Sequence, residues 1–156
     1  MTKKEQAMTL FAEGYNCSQS VALAFSEYFS MERDTLAAIA SSFGGGMGRL
    51  REVCGAMSGI ALVLGQIYGY SDPKAKQEKN DHYARVQQLA KQFEEKNGSI
   101  VCRELLGLSV KHDVPEAAER TAEYYKKRPC KEIVGIAAEL LENYIRENGI
   151  AHSDGV

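Results

Sequence analysis

The 156-residue sequence has no tryptophan, only three prolines and no surplus of charge of either sign. Nineteen basic and 21 acidic side chains leave a formal net charge of -2. This balance lacks the positive field expected of a protein that follows a phosphate backbone. We therefore expect no nucleic-acid partner.

Long hydrophobic runs are also absent. The longest, Val53 to Gly65, is interrupted by Ser58 and is shorter than the roughly 18 residues that a membrane span needs. The N-terminal segment lacks the apolar run and small-residue cleavage site of a secretory signal. We expect a cytoplasmic protein with no membrane span, in a compartment where thiols are normally kept reduced.

The sequence also lacks the sustained Val/Ile/Thr alternation of strands, whereas apolar residues recur at helical spacing along the whole chain. Hydrophobic residues make up 44% and charged residues 26%, which is an ordinary globular balance. The length is close to that of a single domain. We predict an all-α fold over residues 1–156, a single-domain bundle of about seven or eight helices.

Caps, prolines and glycines set the expected helix boundaries. Four glycines within "FGGGMG" should interrupt regular structure. The polar run "AERTAEYYKKR" is interpreted as a solvated face. The predicted helices cover roughly residues 3–13, 16–29, 34–41, 50–68 and 73–97, a short segment around Cys102 capped by Ser99, a charged segment opened by Pro115, and residues 130–148.

All four cysteines fall in the first turn of a predicted helix and on its apolar face: Cys17, Cys54, Cys102 and Cys130. The partial positive charge of a helix N-terminus favours a thiolate, which predicts lowered thiol pKa values. Arg51 near Cys54, Arg103 beside Cys102 and Arg128 near Cys130 should add to this effect.

Like charges about 4 Å apart repel by roughly 4 kcal/mol per pair at an effective dielectric constant of 20. Four convergent thiols must therefore keep protons, form disulfides, or bind a cation such as zinc or an iron–sulfur cluster. The spacings contain no C-x-x-C signature. The alternative is that the cysteines only pack as small hydrophobic residues.

Four segments resemble the redox-active protein family named for its C, C-G-A-x-x-G, C, C pattern. They are "EGYNCSQSVALAF", "FGGGMGRLREVCGAMSG", "FEEKNGSIVCRELLG" and "KKRPCKEIVGIAAELL". The resemblance covers nearly the whole chain and assigns the family's cysteines to Cys17, Cys54, Cys102 and Cys130. It implies a small helical protein in which these four residues have a redox or metal-binding role.

Six glycines near the second cysteine are candidates for cofactor binding. A loop with free backbone N–H groups could cradle an anion, or it could give access to Cys54. A Gly-x-x-x-Gly step could let another helix approach closely, within the core or across a homodimer interface. The loop glycines are Gly44, Gly45, Gly46 and Gly48, and the helical step is formed by Gly55 and Gly59.

Two mechanisms follow for a shared cysteine centre. The thiolates could hold an iron–sulfur cluster or another metal for electron transfer with a redox partner protein. Alternatively, low-pKa thiols could exchange electrons through reversible disulfides, with Cys54 as the attacking thiol. The competing hypothesis is a structural or interaction protein with packing cysteines or a structural zinc.

Overall fold

The computed structural model describes residues 1–150. It confirms the predicted all-α fold: these residues form eight regular α-helices, one short 3-10 helix at Ser26–Tyr28 and a single isolated antiparallel bridge. The helices are α1 (Lys3–Ala12), α2 (Cys17–Ala24), α3 (Arg33–Ser41), α4 (Gly55–Tyr68), α5 (Lys76–Asn97), α6 (Cys102–Leu105), α7 (Ala122–Lys127) and α8 (Cys130–Asn148).

Four helices, α1, α2, α4 and α8, pack against one another around the main core. Helix α8 carries a long buried stripe, from Ile133 to Ile145 at helical spacing, and lies along α1. Gly135 permits this close approach, because a Cβ atom there would lie 2.7 Å from Met8 Sδ. The largely exposed α5 covers α4 and α8 by burying Leu89 and Phe93.

Several predicted boundaries were wrong. Helix α2 ends at Ala24 rather than near Phe29, and α4 begins at Gly55 rather than near Leu50. The charged segment after Pro115 is not helical until Ala122, because Thr121 supplies the first cap: its Oγ1 accepts a hydrogen bond from the Tyr124 N–H.

The predicted Ser99 cap is also wrong in detail. Ser99 Oγ accepts from the Val101 N–H and donates to Glu104, whereas the residue that precedes α6 is Val101. None of the helices within residues 1–150 is long and apolar enough to cross a bilayer.

Candidate redox centre

The four cysteines line one cavity of about 300 Å³. Cys17, Cys102 and Cys130 are the first residues of α2, α6 and α8, and Cys54 immediately precedes α4. The prediction that each cysteine lies at the start of a helix is therefore confirmed. Cys54 and Cys102 are buried, whereas Cys17 and Cys130 are partly exposed.

The bridge between Val53 and Val101 orients two of the thiols. The Cys54 N–H donates to the Ile100 carbonyl at 2.7 Å, and the Cys102 N–H donates to the Glu52 carbonyl at 2.6 Å. Successive side chains of an extended backbone alternate between faces. Val53 is 42% exposed on one face, so Cys54 and Cys102 share the opposite face, which lines the cavity.

The start of α2 fixes Cys17. Asn16 and Gln19 form a capping box, and their side-chain amides also donate to carbonyls of α3. The sulfur of Cys17 then lies directly against Gly55, where a Cβ atom would be only 2.4 Å from Sγ. A glycine at this position therefore lets Cys17 approach the start of α4, next to Cys54.

The glycine loop, residues 44–51, has an unusual left-handed backbone. Its φ angles are 68° at Gly45, Gly46 and Met47, 57° at Gly48 and 67° at Arg49. Left-handed backbone costs a non-glycine residue roughly 1–2 kcal/mol. Hydrogen bonds from the Arg51 and Glu52 N–H groups back to the loop carbonyls hold this conformation. Strained backbone held in this way is frequent at functional sites.

Two loop glycines contact the cysteine side chains. The backbone N–H of Gly45 approaches the Cys17 sulfur and opposes the rise in its pKa. A Cβ atom at Gly46 would lie 2.7 Å from Cys102 Cβ. Cys54 is 7% exposed and lines the same cavity as Gly44, Gly45 and Gly48, and access to Cys54 through the loop stays a prediction.

The other candidate glycines have packing roles. A Cβ atom at Gly44 would overlap the Asn16 side chain, and one at Gly59 would lie 2.8 Å from Val21 Cβ. Gly48 is the exception: a Cβ atom there would have no described atom within 4 Å, so this glycine matters for its left-handed backbone and not for packing. The predicted close approach of another helix to Gly59 is confirmed. Helix α2 of the same chain fills that face, so it is not free for a second copy.

The arginines near the glycine loop do not pair as predicted. Arg51 approaches Cys102 rather than Cys54, with Nη1 3.6 Å from Sγ, and its Nη2 donates to Asp113 at 3.0 Å. Arg103 turns away to Glu52 and the Arg51 carbonyl. Arg51 is 4% exposed, so it places a buried positive charge beside Cys102.

A second part of the cavity wall contains Cys130, Arg120, Arg128 and Tyr124, and both arginines interact with Cys130 through their charge. The guanidinium carbon of Arg128 lies 5.6 Å from the centroid of the Tyr124 ring. Arg120 stacks over Phe11 at 4.1 Å and donates to two backbone carbonyls of the chain near α1. Sequence analysis assigned Arg120 and Tyr124 to a solvated face and missed them, because their contacts join distant parts of the chain.

A strap without helix or strand, residues 106–121, runs between α6 and α7 and lines the cavity through Pro115, Ala117 and Ala118. Asp113 ties it to the glycine loop through ion pairs with Arg49 and Arg51. Arg120 ties its other end to α1 and the residues that follow α1. Both anchors of the strap are therefore arginine contacts.

The pKa values of Cys17, Cys54 and Cys130 are raised, whereas the sequence predicted lowered ones. Burial raises the pKa of Cys17, raises that of Cys54 well above its ordinary value, and raises that of Cys130 to about 12. Backbone N–H groups at Ala56 and Met57 oppose the rise at Cys54. Removal of water from the sulfurs outweighs the favourable helix ends. A bound cation would favour the thiolate over the protonated thiol, because a coordinating thiol is deprotonated.

No curated protein and no solved structure matches the chain significantly. Residues 15–144 match the profile of the family described as "Putative redox-active protein (C_GCAxxG_C_C)". All four cysteines lie within the match. At residues 54–59 the chain reads Cys-Gly-Ala-x-x-Gly, with cysteine and glycine in the opposite order to the letters of that description.

Proposed function

The chain belongs to the C_GCAxxG_C_C family, and from this premise we propose that its four cysteines bind an iron–sulfur cluster that transfers electrons. The observation that carries the proposal is the composition of the cavity wall. Four thiols lie there with the guanidinium groups of Arg51, Arg120 and Arg128, and no carboxylate among the described residues lines the same wall.

The charges in this wall suit an anionic cluster. Thiolates repel one another strongly unless a cation or hydrogen-bond donors compensate them. The N–H groups of Gly45, Ala56 and Met57 approach the sulfurs of Cys17 and Cys54, and Arg51 approaches Cys102. Hydrogen bonds to the sulfurs are among the features by which proteins tune cluster potentials.

The arrangement of the thiols among the described residues differs from that of a single-ion site. Zinc requires all its sulfur ligands at about 2.3 Å from one centre. Within residues 1–150, no three Cys, His, Asp or Glu side chains are close enough to hold one ion. A cluster distributes its cysteine ligands over several irons, so the sulfurs lie farther apart. When bound, the cluster would supply one-electron chemistry, and the chain's thiolates would hold it.

The raised thiol pKa values argue against disulfide exchange as the main activity. The thiolate is the attacking species, and burial keeps Cys54 and Cys130 protonated near neutral pH. One contact favours a second candidate: Cys17 Sγ lies against Gly55, next to Cys54. Cys17 and Cys54 are therefore the pair we expect to form a disulfide if the centre works through thiols.

The test is to purify the full chain without oxygen, reconstitute it with iron and sulfide, and measure iron, sulfide and zinc per chain together with the visible absorption. We expect stoichiometric iron and sulfide and a sulfur-to-iron charge-transfer band. Each single Cys→Ala change at the four positions should lower the iron content. The control is Met57→Leu, which removes a buried sulfur that does not line the cavity.

Stoichiometric zinc that cannot be replaced by iron would support the structural alternative. A wild type that takes up neither metal would contradict the proposal. In that case, mapping of the disulfides formed on oxidation tests the second candidate, which requires a Cys17–Cys54 bond.

A further inference from the structure

We infer that the cavity also contains a binding site for a small organic anion, at the end formed by Arg128, Arg120 and Tyr124. The inference goes beyond the proposed function, because it requires the arginines and does not require iron. It rests on two positive charges that form no ion pair within residues 1–150, on the unused hydrogen-bond donors of Arg128 and on the apolar residues that line the same cavity.

Within residues 1–150, neither arginine forms an ion pair with a carboxylate. The ion pairs found within residues 1–150 join Lys3, Arg49, Arg51, Arg103 and Lys127 to acidic side chains, and none includes Arg120 or Arg128. Partly buried arginines without counter-charges make an anion at this end of the cavity favourable.

The two arginines have different roles. Arg120 is already held in place, because Nη1 donates to the Phe11 carbonyl at 2.9 Å and Nη2 to the Tyr15 carbonyl at 3.1 Å. The Arg128 guanidinium is half-buried and contacts the Tyr124 ring. No hydrogen bond or ion pair within the described residues uses it. Its planar set of donors matches the geometry of a carboxylate.

The same cavity has apolar lining. Leu105, Leu106, Ile133 and Tyr124 line it together with the two arginines. The whole cavity, which also includes the cysteines, has a volume of about 300 Å³, at the lower end of the range for ligand pockets. These features fit a small molecule that has a carboxylate at one end and an aromatic or aliphatic body at the other.

Benzoate and its neutral analogue benzamide test this site, because they have nearly the same shape and differ in charge. The measurement is the Kd of each for the full chain purified without oxygen, by calorimetry, with iron determined on the same samples. We expect the wild type to bind benzoate and to bind benzamide much more weakly. Arg128→Gln should weaken benzoate binding about tenfold or more, because it removes a charged hydrogen-bond donor.

Arg146→Gln is the matched control, since it removes the same charge from the exposed end of α8, where Arg146 donates to Asn143 and forms no ion pair within residues 1–150. It should change the Kd by less than about twofold, because solvent and salt screen its charge. Arg128→Lys should recover part of the affinity. Circular dichroism verifies that each variant is folded.

The inference is overturned if the wild type does not bind benzoate, if benzamide binds equally well, or if Arg128→Gln and Arg146→Gln have the same affinity. The iron content separates this result from the proposed function. Arg128→Gln keeps all four thiols, so a loss of benzoate binding at unchanged iron content is assigned to the anion site, whereas a parallel loss of iron means that Arg128 serves the cysteine centre and overturns the inference.

Discussion

At the glycine-loop end of the cavity, backbone hydrogen bonds hold Cys54 and Cys102 on one face of a short bridge. At the strap end, Cys130 is surrounded by the side chains of Arg120, Arg128 and Tyr124. The first end is built from a left-handed backbone conformation that residues other than glycine rarely adopt. The second is built from side chains: Arg120 is held by two backbone carbonyls, whereas the Arg128 guanidinium makes no hydrogen bond or ion pair within residues 1–150. We therefore expect the first end to hold its sulfurs rigidly and Arg128 to adjust to a ligand.

The largest expected effect tests the rigid end. In Gly46→Ala the new Cβ would lie 2.7 Å from Cys102 Cβ and from the Glu52 nitrogen, in a left-handed backbone. We expect a loss of about 2–4 kcal/mol in the free energy of unfolding, measured with urea. Gly48→Ala has similar backbone strain and no atom within 4 Å, so it should cost only about 1 kcal/mol. Equal losses would mean that the contact with Cys102 is not tight.

Substitutions of one cysteine at each end test whether the two ends act as one centre. In iron-loaded protein, Cys54→Ser and Cys130→Ser should be non-additive, with a coupling of roughly 1–3 kcal/mol in unfolding free energy, because either change alone disrupts the shared cluster. The coupling should disappear after treatment with a strong chelator. Met57→Leu combined with Cys130→Ser should remain additive. If the two cysteine changes are additive in the iron-loaded protein, the two ends do not hold one shared cluster.

A smaller effect is expected where the strap joins the rigid end. The Val114 N–H and the Arg51 guanidinium lower the pKa of Asp113, which shows that its charged form is stabilised. Asp113→Asn should lower the unfolding temperature less than Gly46→Ala does, and should increase proteolysis within residues 106–121. Glu116→Gln, in the same strap and without an ion pair within residues 1–150, should change neither measurement. Equal proteolysis of the two variants would argue against the Asp113 anchor.

The smallest effect is the pH dependence of the strap end. In the metal-free protein, burial raises the Cys130 pKa from 9.0 to about 12. Between these values the unfolded chain releases this proton and the folded chain keeps it. The contribution of the protonated Cys130 thiol to the unfolding free energy is therefore complete below pH 9 and declines as the pH rises toward 12. Cys130→Ala should lose less unfolding free energy than the wild type between about pH 8 and about pH 10.5. Identical slopes would contradict the burial of this thiol.

The sequence predicted the helical fold and the position of each cysteine at a helix start, because local signals determine both. Asn16 caps α2, Pro129 precedes α8, and glycines end several helices. The stretch "FGGGMG", residues 43–48, was correctly predicted to be irregular, whereas residues 50–54 were wrongly placed in the following helix. The left-handed turn of the glycine loop was not predicted, since Met47 and Arg49 rarely adopt that backbone and hydrogen bonds from later residues impose it.

The electrostatics of the site could not be predicted from neighbours in sequence. Arg51 is three residues from Cys54 and yet contacts Cys102, because the Val53–Val101 bridge joins the two segments. Arg120 is more than a hundred residues from the carbonyls that hold it. The predicted shift of the pKa had the wrong sign at Cys17, Cys54 and Cys130, because burial, a tertiary property, exceeds the local effect of a helix end.

The most direct test of the central claim is a redox titration of the full chain, purified and reconstituted without oxygen, followed by electron paramagnetic resonance. The account predicts an iron–sulfur signal that appears and disappears reversibly with the applied potential and is lost in Cys54→Ala and Cys130→Ala alike. A wild type with no such signal in either oxidation state, or a signal retained when one of these cysteines is removed, would contradict a single centre held by four cysteines.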